Sequence, residues 1–371
     1  METALPSPNK WRVRRTLARK EIVTIARYRN YLVPLLIPIL LSLLFRLLFG
    51  AMNADEGVVL LVVDPGNSAL AAALEQSPEV EVRRVASEAE MLAELAGGVT
   101  GGVMISADFD TAVAANQQPP LTILLNSEAR RSNKAILQKL VSEQLWTSQY
   151  DTPPAQLEWQ EYQTGSPAFA AYSVENYLYF TLALLSITMM SVVILPQMMV
   201  EEKEGDVLAA LLASPANYGD LLLGKVAAAF VYALILAGVI TVLNQGYTGD
   251  WWLTAAATLL VIILTLGVGV LFGLWAETKG QCHAYSAILI LLLNMPSWFS
   301  VVPFANLSPI LQAVLRLIPT YYYIDTLIQS LNGLVDPAQT GFNLAVLLVS
   351  GVIAWGIVRW RLRRVTAVSL Q

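Results

Sequence analysis

Residues 219 to 225 have the spacing of a nucleotide-binding loop. Gly219, four intervening residues, Gly224 and Lys225 match all but the last place of G-x-x-x-x-G-K-[ST]. Such a loop surrounds phosphate with backbone N–H groups, and the hydroxyl in its last place ligates Mg²⁺. Here Val226 fills the last place, and one aspartate and three leucines fill the intervening places. Because an acidic group repels phosphate and valine cannot ligate a metal, we predict that this segment does not bind ATP.

The segments on either side of this pattern also lack the context that the motif requires. A phosphate-binding loop follows a strand, whereas the upstream residues "GDVLAALLAS" have the composition of a helix. Downstream, "VAAAFVYALILAGVITVL" is an unbroken apolar run. The glycine and the lysine therefore need another explanation.

Metal and nucleophilic chemistry is limited by the scarcity of two residue types. Cys282 and His283 are the single cysteine and the single histidine of the chain, and they are adjacent. A zinc site or a Ser-His-Asp triad needs more ligands or partners than these two residues supply. We therefore predict no intrachain disulfide, no metal site and no catalytic residues, and an intramembrane hydrolase is disfavoured.

The composition is that of an integral membrane protein. Hydrophobic residues make up 56% of the chain, charged residues 14%, and the mean hydropathy is +0.55, whereas an average soluble domain has about 25% charged residues. A helix needs about 20 predominantly apolar residues to cross a bilayer. Six stretches qualify, so we predict a mainly α polytopic membrane protein. The stretches are residues 31–50, 175–200, 226–245, 253–276, 284–303 and 341–358.

Lysine and arginine in the flanks of these spans predict their orientation. Basic residues crowd residues 1–30 and the tail 359–371, and such flanks stay in the cytoplasm. Both termini are therefore predicted to be cytoplasmic, with the first span an uncleaved signal anchor. Apolar residues of 1–30 fall on one face of a predicted helix, which favours an amphipathic helix on anionic membrane lipids over a solvated charged helix. They are Trp11, Ala18, Ile22 and Ile25.

Residues 51–174 have a different character. Runs such as "GVVLLVVD" and "PLTILLN", typical of strands, alternate with helical runs such as "EAEMLAELAG". This alternation predicts an inserted α/β domain with a largely parallel sheet on the extracytoplasmic side. The domain has no histidine or cysteine, so a structural or partner-docking role is favoured over an enzymatic one. Breaks at residues 152–154 and 165–167 are predicted to form the linker back to the membrane.

Residues 201–225, between the second and third spans, begin with five charges within six positions. Apolar residues then recur at helical spacing up to Leu212, and Pro215 stops the helix. The pattern predicts a short amphipathic helix at a membrane boundary. From the residues alone, a simple interfacial helix has about equal weight with a functional one.

This loop resembles the cytoplasmic loop of type-2 ABC transporter permeases. The resemblance rests on a Glu-Lys-Glu series, a following glycine, a leucine pair, a proline and a Leu-Leu-Gly-Lys series. The layout of six spans with one large insert after the first is similar to the sodium-efflux and multidrug branch of that family. The family often has a basic residue after the Glu-Lys-Glu series, whereas this chain has Gly205 and Asp206. Individual charge contacts of the family are therefore not transferred.

The resemblance implies that the loop is a coupling helix that docks on a separate ATPase. Gly224 and Lys225 of the phosphate-loop pattern would then mark a helix that enters the membrane. This chain would bind no cofactor, because ATP and Mg²⁺ belong to the ATPase. The residues predicted for coupling are Glu202, Lys203, Glu204, Leu208, Leu211, Leu212, Pro215, Gly224 and Lys225.

The resemblance also implies the permease subunit of an exporter in the bacterial plasma membrane. Its partners would be an ABC ATPase, a second permease copy or a sister permease, and membrane lipids, but no nucleic acid. The alternative is a membrane-anchored sensor or scaffold whose extracytoplasmic domain binds a partner. Uncharged polar residues in the spans weakly favour a bulky or amphiphilic cargo, although the sodium-efflux likeness points to an ion. The predicted pathway residues are Ser186, Thr188, Ser191, Asn244, Thr265 and Asn294.

Residues 304–340 are too apolar for a water-exposed loop and too short for two further spans. Apolar residues at helical spacing on both sides of Pro319 predict a re-entrant helical hairpin in the outer leaflet. Tyr321, Tyr322 and Tyr323 are predicted at the membrane interface, where aromatic rings concentrate. Similar permeases carry short helices here that help to close the exit, so these residues are predicted to form an outer gate.

Overall fold

The chain folds into two compact units. The membrane unit comprises Met1–Phe45 and Asn176–Gln371, and the α/β unit comprises Arg46–Glu175. The computed structural model describes residues 10–52, 58–78, 80–96, 99–115, 117–126, 131–146, 155–162, 174–204, 218–244, 249–300, 307–332 and 335–368.

The elements are numbered in chain order over these described residues. The helices are α1 (Lys10–Arg27), α2 (Arg29–Met52), α3 (Ala69–Glu75), α4 (Glu88–Ala96), α5 (Phe109–Ala114), α6 (Arg131–Trp146), α7 (Val174–Thr188), α8 (Leu195–Glu204), α9 (Tyr218–Leu243), α10 (Trp251–Trp275), α11 (Lys279–Phe299), α12 (Pro309–Leu317), α13 (Thr320–Asn332) and α14 (Pro337–Val368). The strands are β1 (Val59–Val63), β2 (Glu81–Arg84), β3 (Gly101–Met104), β4 (Pro120–Asn126) and β5 (Gln156–Tyr162).

Six helical stretches in the described part of the chain are long and apolar enough to cross a membrane. The predicted fold class, a mainly helical polytopic membrane protein with an inserted α/β domain, is confirmed. The spans are Arg29–Leu48, Asn176–Glu204, Gly219–Leu243, Trp251–Trp275, Lys279–Phe299 and Pro337–Arg364.

The second span is not a regular α-helix throughout. Between α7 and α8 lies a π-helical turn, Met189–Ile194. Such turns free backbone carbonyls from the usual ladder, and one of them, that of Val192, accepts a 2.7 Å hydrogen bond from the Ser286 hydroxyl of α11. The carbonyl of Ser191 lies so close to α10 that a Cβ on Gly269 would approach it to 1.8 Å. The π turn therefore depends on a glycine in the neighbouring span.

Several span boundaries differ from those predicted. The helix of the third span, α9, begins at Tyr218 rather than at residue 226. The residues of the phosphate-loop pattern therefore lie within a membrane helix. Helix α11 begins at Lys279 rather than at 284, because the Thr278 side chain caps it by accepting from the Gln281 N–H. Helix α14 runs well past residue 358 into the arginine-rich tail, where long arginine side chains can reach the headgroups.

Two short helices, α12 and α13, occupy the predicted re-entrant segment and are separated at Ile318 and Pro319. Tyr321 and Tyr322 are half-buried, whereas Tyr323 is fully buried, with its hydroxyl 3.4 Å from that of Thr258. Tyr323 therefore faces the protein interior, and the predicted interfacial position of the three tyrosines stays a prediction. Consecutive helical residues point about 100° apart, so three in a row cannot share one surface. Placement of the pair in the outer leaflet stays a prediction.

The α/β unit contains a five-stranded sheet in the order β2-β1-β3-β4-β5. All neighbouring pairs are parallel except β3 and β4, which are antiparallel, so the sheet is largely parallel with one reversal. Alternate residues of β1 serve the two faces: Leu60 and Val62 pack in the same core as Leu137 of α6, and Leu61 packs with Met91 of α4. Helices on both faces give the unit two apolar layers.

Two elements of this unit lie where the sequence predicts none. The short helix α5 follows β3, and β5 lies between the two predicted linker breaks. Strand β5 pairs on one side with β4 and carries Glu158 and Gln160 exposed, as is typical of an edge strand. Both predicted breaks, residues 152–154 and 165–167, lie outside the described residues.

Candidate functional site

The residues of the phosphate-loop pattern form part of one continuous helix, α9. Gly219 borders open space, whereas a Cβ on Gly224 would lie 3.1 Å from the Leu17 Cβ and 3.3 Å from the Ala18 backbone nitrogen, both in α1. Gly224 therefore lets α1 and α9 approach closely. From residue 222 onwards the backbone N–H groups of α9 bond to carbonyls one turn back, so Gly224 and Lys225 present no free N–H group to a phosphate.

Lys225 is buried and serves two carboxylates. Its Nζ lies 2.9 Å from a Glu202 oxygen of α8 and 3.4 Å from a Glu21 oxygen of α1. Only 4% of Lys225 and 2% of Glu21 are exposed. Because a buried charge is tolerated only with compensating partners, this triad joins three helices whose charges depend on one another. The ammonium group is thus committed to carboxylates rather than to phosphate.

Each of the four consecutive residues at the end of the second span, Glu201 to Glu204, contacts at least one neighbouring helix. We call these four residues the charged hub. Glu202 reaches α9 through Lys225. Glu201 accepts a hydrogen bond from the hydroxyl of Tyr31, near the start of α2, and lies 3.8 Å from the Lys279 ammonium of α11.

Lys203 caps the end of the fourth span. Its Nζ donates to the carbonyls of Gly273 at 2.9 Å, Leu274 at 3.1 Å and Ala276 at 2.9 Å. The last carbonyls of a helix have no partners within the helix and carry the negative end of its dipole. An ammonium group at this place satisfies both the hydrogen bonds and the charge, so Lys203 fastens α8 to α10.

Glu204 acts in the complementary way at the start of the fifth span. Its carboxylate accepts the backbone N–H of Lys279 at 2.9 Å, and the Lys279 ammonium lies 3.8 Å from it. The first N–H groups of a helix lack acceptors and carry the positive end of the dipole, which a carboxylate neutralises. The charged hub therefore bonds to the first, third, fourth and fifth spans from the end of the second.

Helix α1 is fastened at the same end of the bundle. Arg14 donates to Asp220 of α9 at 2.7 Å, and the Tyr232 hydroxyl donates to the Ile22 carbonyl at 2.9 Å. Ile25 is fully buried, whereas Trp11 is 72% exposed. The predicted apolar face is therefore divided: its C-terminal residues pack against the bundle and Trp11 points away from it.

The predicted coupling residues are only partly within the described residues. Glu202 and Lys225 form an ion pair, Lys203 and Glu204 bind neighbouring spans, and Gly224 packs on α1. Four further residues lie outside the described part of the chain, and their docking role stays a prediction. These are Leu208, Leu211, Leu212 and Pro215.

The predicted pathway residues lie among the polar side chains of the spans. Hydroxyls of Ser186, Ser191 and Thr265 donate to carbonyls of their own helices at 2.7 to 2.8 Å. The amide of Asn294 in α11 donates to the Thr188 hydroxyl at 3.0 Å, so it links the fifth span to the second. A second link runs from the Asn244 amide to the Ser42 hydroxyl at 2.9 Å. All but Asn244 are fully buried, and their role as pathway lining stays a prediction.

Three residues of the site were missed at the level of sequence: Glu21, Tyr31 and Lys279. Charged residues beside apolar spans are the signal that could have found Glu21 and Lys279, since such residues are costly unless paired. His283 is exposed, whereas Cys282 is buried against Val200 and Ala276 next to the charged hub. Among the described residues, no group of three or more His, Cys, Asp or Glu could hold a metal ion.

These features define a multi-pass membrane protein whose spans are fastened by charges at one end and which carries an α/β insert. A family model described as ABC-2 family transporter protein matches residues 31–360, and the chain belongs to that family. It is thus a permease subunit of an ABC transporter; the family is a non-catalytic membrane component, and membership implies association with an ABC ATPase subunit. No curated protein and no solved structure matches the chain.

Proposed function

We propose that this chain is the permease of an ATP-driven exporter and that its 205–217 loop docks on a separate ATPase chain. In this proposal the amphipathic segment with Leu208, Leu211 and Leu212 inserts its apolar face into a groove of the ATPase, as helices do in helix-in-groove recognition. ATP and Mg²⁺ bind to the ATPase, and this chain uses ATP hydrolysis without touching the nucleotide.

The observation that carries the proposal is the position of the charged hub. The loop follows directly after Glu204, so any displacement of the loop acts first on residues 201–204. Each of those residues bonds to another span, and packed helices respond to such displacement as rigid bodies. A push on one loop is thereby passed to the ends of the first, third, fourth and fifth spans together.

The ion pair between Glu202 and Lys225 supports the same conclusion from the other side of the loop. These two residues flank the loop in the chain and lie 2.9 Å apart. Both ends of the loop are therefore held by one buried contact. A loop held in this way transmits displacement to the membrane unit, whereas a loop with unrestrained ends would absorb the displacement.

The proposal places the charged hub, α1 and both termini on the cytoplasmic side of a bacterial plasma membrane, and the α/β unit outside. The Lys and Arg excess in residues 10–29 and 359–364 supports this orientation. Protease added to cells whose outer face alone is accessible should cleave the α/β unit and spare the N-terminus. Protection of the α/β unit would contradict the orientation.

The proposal also covers the cargo and the oligomeric assembly, which are inferred from the number of spans and from the polar residues within them. Six spans suit a pathway formed between two permeases, so a second copy or a sister permease completes the transporter. The predicted pathway residues within the spans are uncharged, which favours a bulky or amphiphilic cargo over a bare ion. Assignment to the sodium-efflux and multidrug branch belongs to this proposal as well.

The experiment that tests the proposal is co-purification with an ABC ATPase encoded beside the chain. Leu211→Asp with Leu212→Asp should abolish ATPase binding, because unpaired carboxylates at an apolar contact cost several kcal/mol. The matched control is Ala210→Asp, which adds a charge at a position that helical spacing places on another face. Undiminished ATPase binding by the double variant, with normal membrane insertion, would show that the dock lies elsewhere. Recovery of a kinase or regulator in place of an ATPase would favour the sensor.

A further inference from the structure

The two edges of the sheet in the α/β unit differ in length and in charge. One edge is β2, which has four residues and exposes the charged side chains of Arg83 and Arg84. The other edge is β5, whose seven residues, "QLEWQEY", include no lysine, arginine, proline or glycine. Proteins protect exposed edges with short strands, lysine, proline or bulges, because an exposed edge pairs readily with another strand. Strand β5 therefore has the length and the sequence of an edge that accepts a partner.

The hydrogen bonds of β5 show which of its peptide groups face outward. The N–H of Gln156 donates to the Pro119 carbonyl at 3.1 Å, and the parallel pairing with β4 runs along the whole strand. Peptide groups alternate between the two sides of a strand, so those of Leu157, Trp159 and Glu161 point away from β4. Within the described ranges, β5 ends the sheet. These outward N–H and C=O groups are therefore available to one more strand.

A second copy of β5 fits this edge in one register. Two identical edge strands related by a twofold axis pair antiparallel, so that the central residue of each lies opposite its own counterpart. Trp159 is the middle residue of β5, so the register centred on Trp159 overlaps the whole strand and uses its outward peptide groups. Glu158 then lies opposite Gln160 of the second copy, whereas a register centred on Glu158 would place two carboxylates against each other. The register with the longest overlap is thus also free of like charges directly opposite.

Trp159 also supplies an apolar contact for this pairing. Its side chain is 37% exposed, on a strand where Glu158 and Gln160 are exposed as well. Opposite residues of an antiparallel pair have Cβ atoms about 4.5–5.5 Å apart on one face, and aromatic pairs at such positions stabilise a sheet. Tryptophan is also enriched at the centres of protein interfaces. Pairing through β5 would therefore cover the indole that a single copy leaves exposed.

We propose that β5 binds β5 of a second copy of this chain, antiparallel and centred on Trp159, so that two five-stranded sheets become one. The inference rests on the proposed assembly of two permeases, and it identifies the second permease as an identical chain. An isolated pair of edge strands associates weakly, but two chains held in one transporter meet at a high effective concentration. A free peptide lacks this advantage, which favours a second copy as the partner.

The test is disulfide cross-linking of the full-length chain in membranes under a mild oxidant. Trp159→Cys should yield a product of twice the chain mass as the major species, because the Cα atoms of a hydrogen-bonded pair lie about 5.5 Å apart, within the range that a disulfide spans. The wild-type chain is the blank, since its single cysteine, Cys282, is buried. A major product of another mass would identify a foreign partner and overturn the proposal.

The matched control is Glu158→Cys, at the neighbouring exposed position of the same strand. The two copies of residue 158 would lie on a diagonal about 7–8 Å apart, which a disulfide does not span. Glu158→Cys alone should therefore give no dimer, and Glu158→Cys with Gln160→Cys in one chain should restore it. Equal cross-linking of Trp159→Cys and Glu158→Cys would overturn the proposal, because it would show random collision.

A proline variant tests the backbone pairing without a cysteine at the centre. Trp159→Pro removes an N–H that points away from β4, and proline is tolerated at such positions of an edge strand. When Trp159→Pro is added to the chain with Glu158→Cys and Gln160→Cys, cross-linking should be lost. Undiminished cross-linking would contradict hydrogen bonding between the two strands and overturn the proposal.

Native mass spectrometry of the complex with the ATPase distinguishes failure of this inference from failure of the proposed function. We expect two identical copies of this chain in each complex. Two copies without cross-linking of Trp159→Cys, or one copy beside a different permease, would overturn the pairing of β5 while leaving the proposed function in place. Cross-linking of Trp159→Cys without any bound ATPase would support the pairing and contradict the proposed function instead.

Discussion

The ammonium group of Lys225 lies 2.9 Å from the carboxylate of Glu202, and 3.4 Å from that of Glu21. The lysine that completes most of a nucleotide-binding pattern is therefore a buried structural cation. It joins α1, α8 and α9 at the point where the predicted ATPase-docking loop leaves and re-enters the membrane unit. The stability of that junction can be measured apart from transport.

Lys225→Met should lower the free energy of unfolding of the detergent-solubilised chain by about 3–5 kcal/mol, because two buried carboxylates lose their cation. The control is Lys20→Met in α1. The Lys20 side chain is 59% exposed and lies 3.6 Å from Glu21, so its loss should cost about 1 kcal/mol or less. Chemical unfolding of both variants gives the comparison. Equal losses would show that Lys225 is no more than a surface charge.

A valine at two glycines of the same helix should have opposite consequences. Gly224→Val should destabilise the chain by about 1–3 kcal/mol, because its side chain would collide with α1. Gly219→Val should be tolerated, since Gly219 has nothing within 4 Å of a Cβ. The free energies of unfolding of the two variants, measured under the same conditions, give the comparison. If Gly219→Val were the more harmful, close packing of α1 on α9 would be wrong.

Lys203→Met should loosen the end of the fourth span. Loss of a charged donor to three carbonyls should lower the local opening free energy by about 1.5 kcal/mol, which speeds amide exchange about tenfold. The amide to follow is that of Ala276, which donates to the Phe272 carbonyl at 2.8 Å.

Lys279→Met is the control for this exchange measurement. Lys279 contacts Glu201 and Glu204 at 3.8 Å and is half exposed, and its side chain does not cap α10. Exchange of the Ala276 amide should then match the wild type. If the Ala276 amide exchanged as slowly in Lys203→Met as in the wild type, the Lys203 cap would contribute nothing to holding the end of the fourth span.

The membrane class of this fold was predictable because composition alone decides it. Six long apolar stretches cannot be buried in a soluble domain of this size, and they appear as helices in the structure. The start of α9 was not predictable in the same way. Asp220 and Lys225 argue for a loop when taken singly, and only Arg14, Glu202 and Glu21, all distant in sequence, permit them to be buried in a helix.

The charged hub shows the same limit. The sequence indicates that Glu202, Lys203 and Glu204 lie at a membrane boundary, because charges end an apolar run. It does not indicate that each binds a different span, since helix ends supply that chemistry through backbone groups that carry no sequence signature. Strand β5 was missed for a related reason: as an edge strand it is mostly polar, and its alternation of apolar residues is limited to Leu157 and Trp159.

ATP hydrolysis by the purified chain, alone and with its ATPase, tests the central claim most directly. We predict that neither the wild-type chain nor Lys225→Met hydrolyses ATP by itself, because Lys225 is paired with Glu202 and Glu21 within a helix. Hydrolysis should appear only when the ATPase is added and binds. Hydrolysis by the isolated chain that Lys225→Met abolishes would contradict the account.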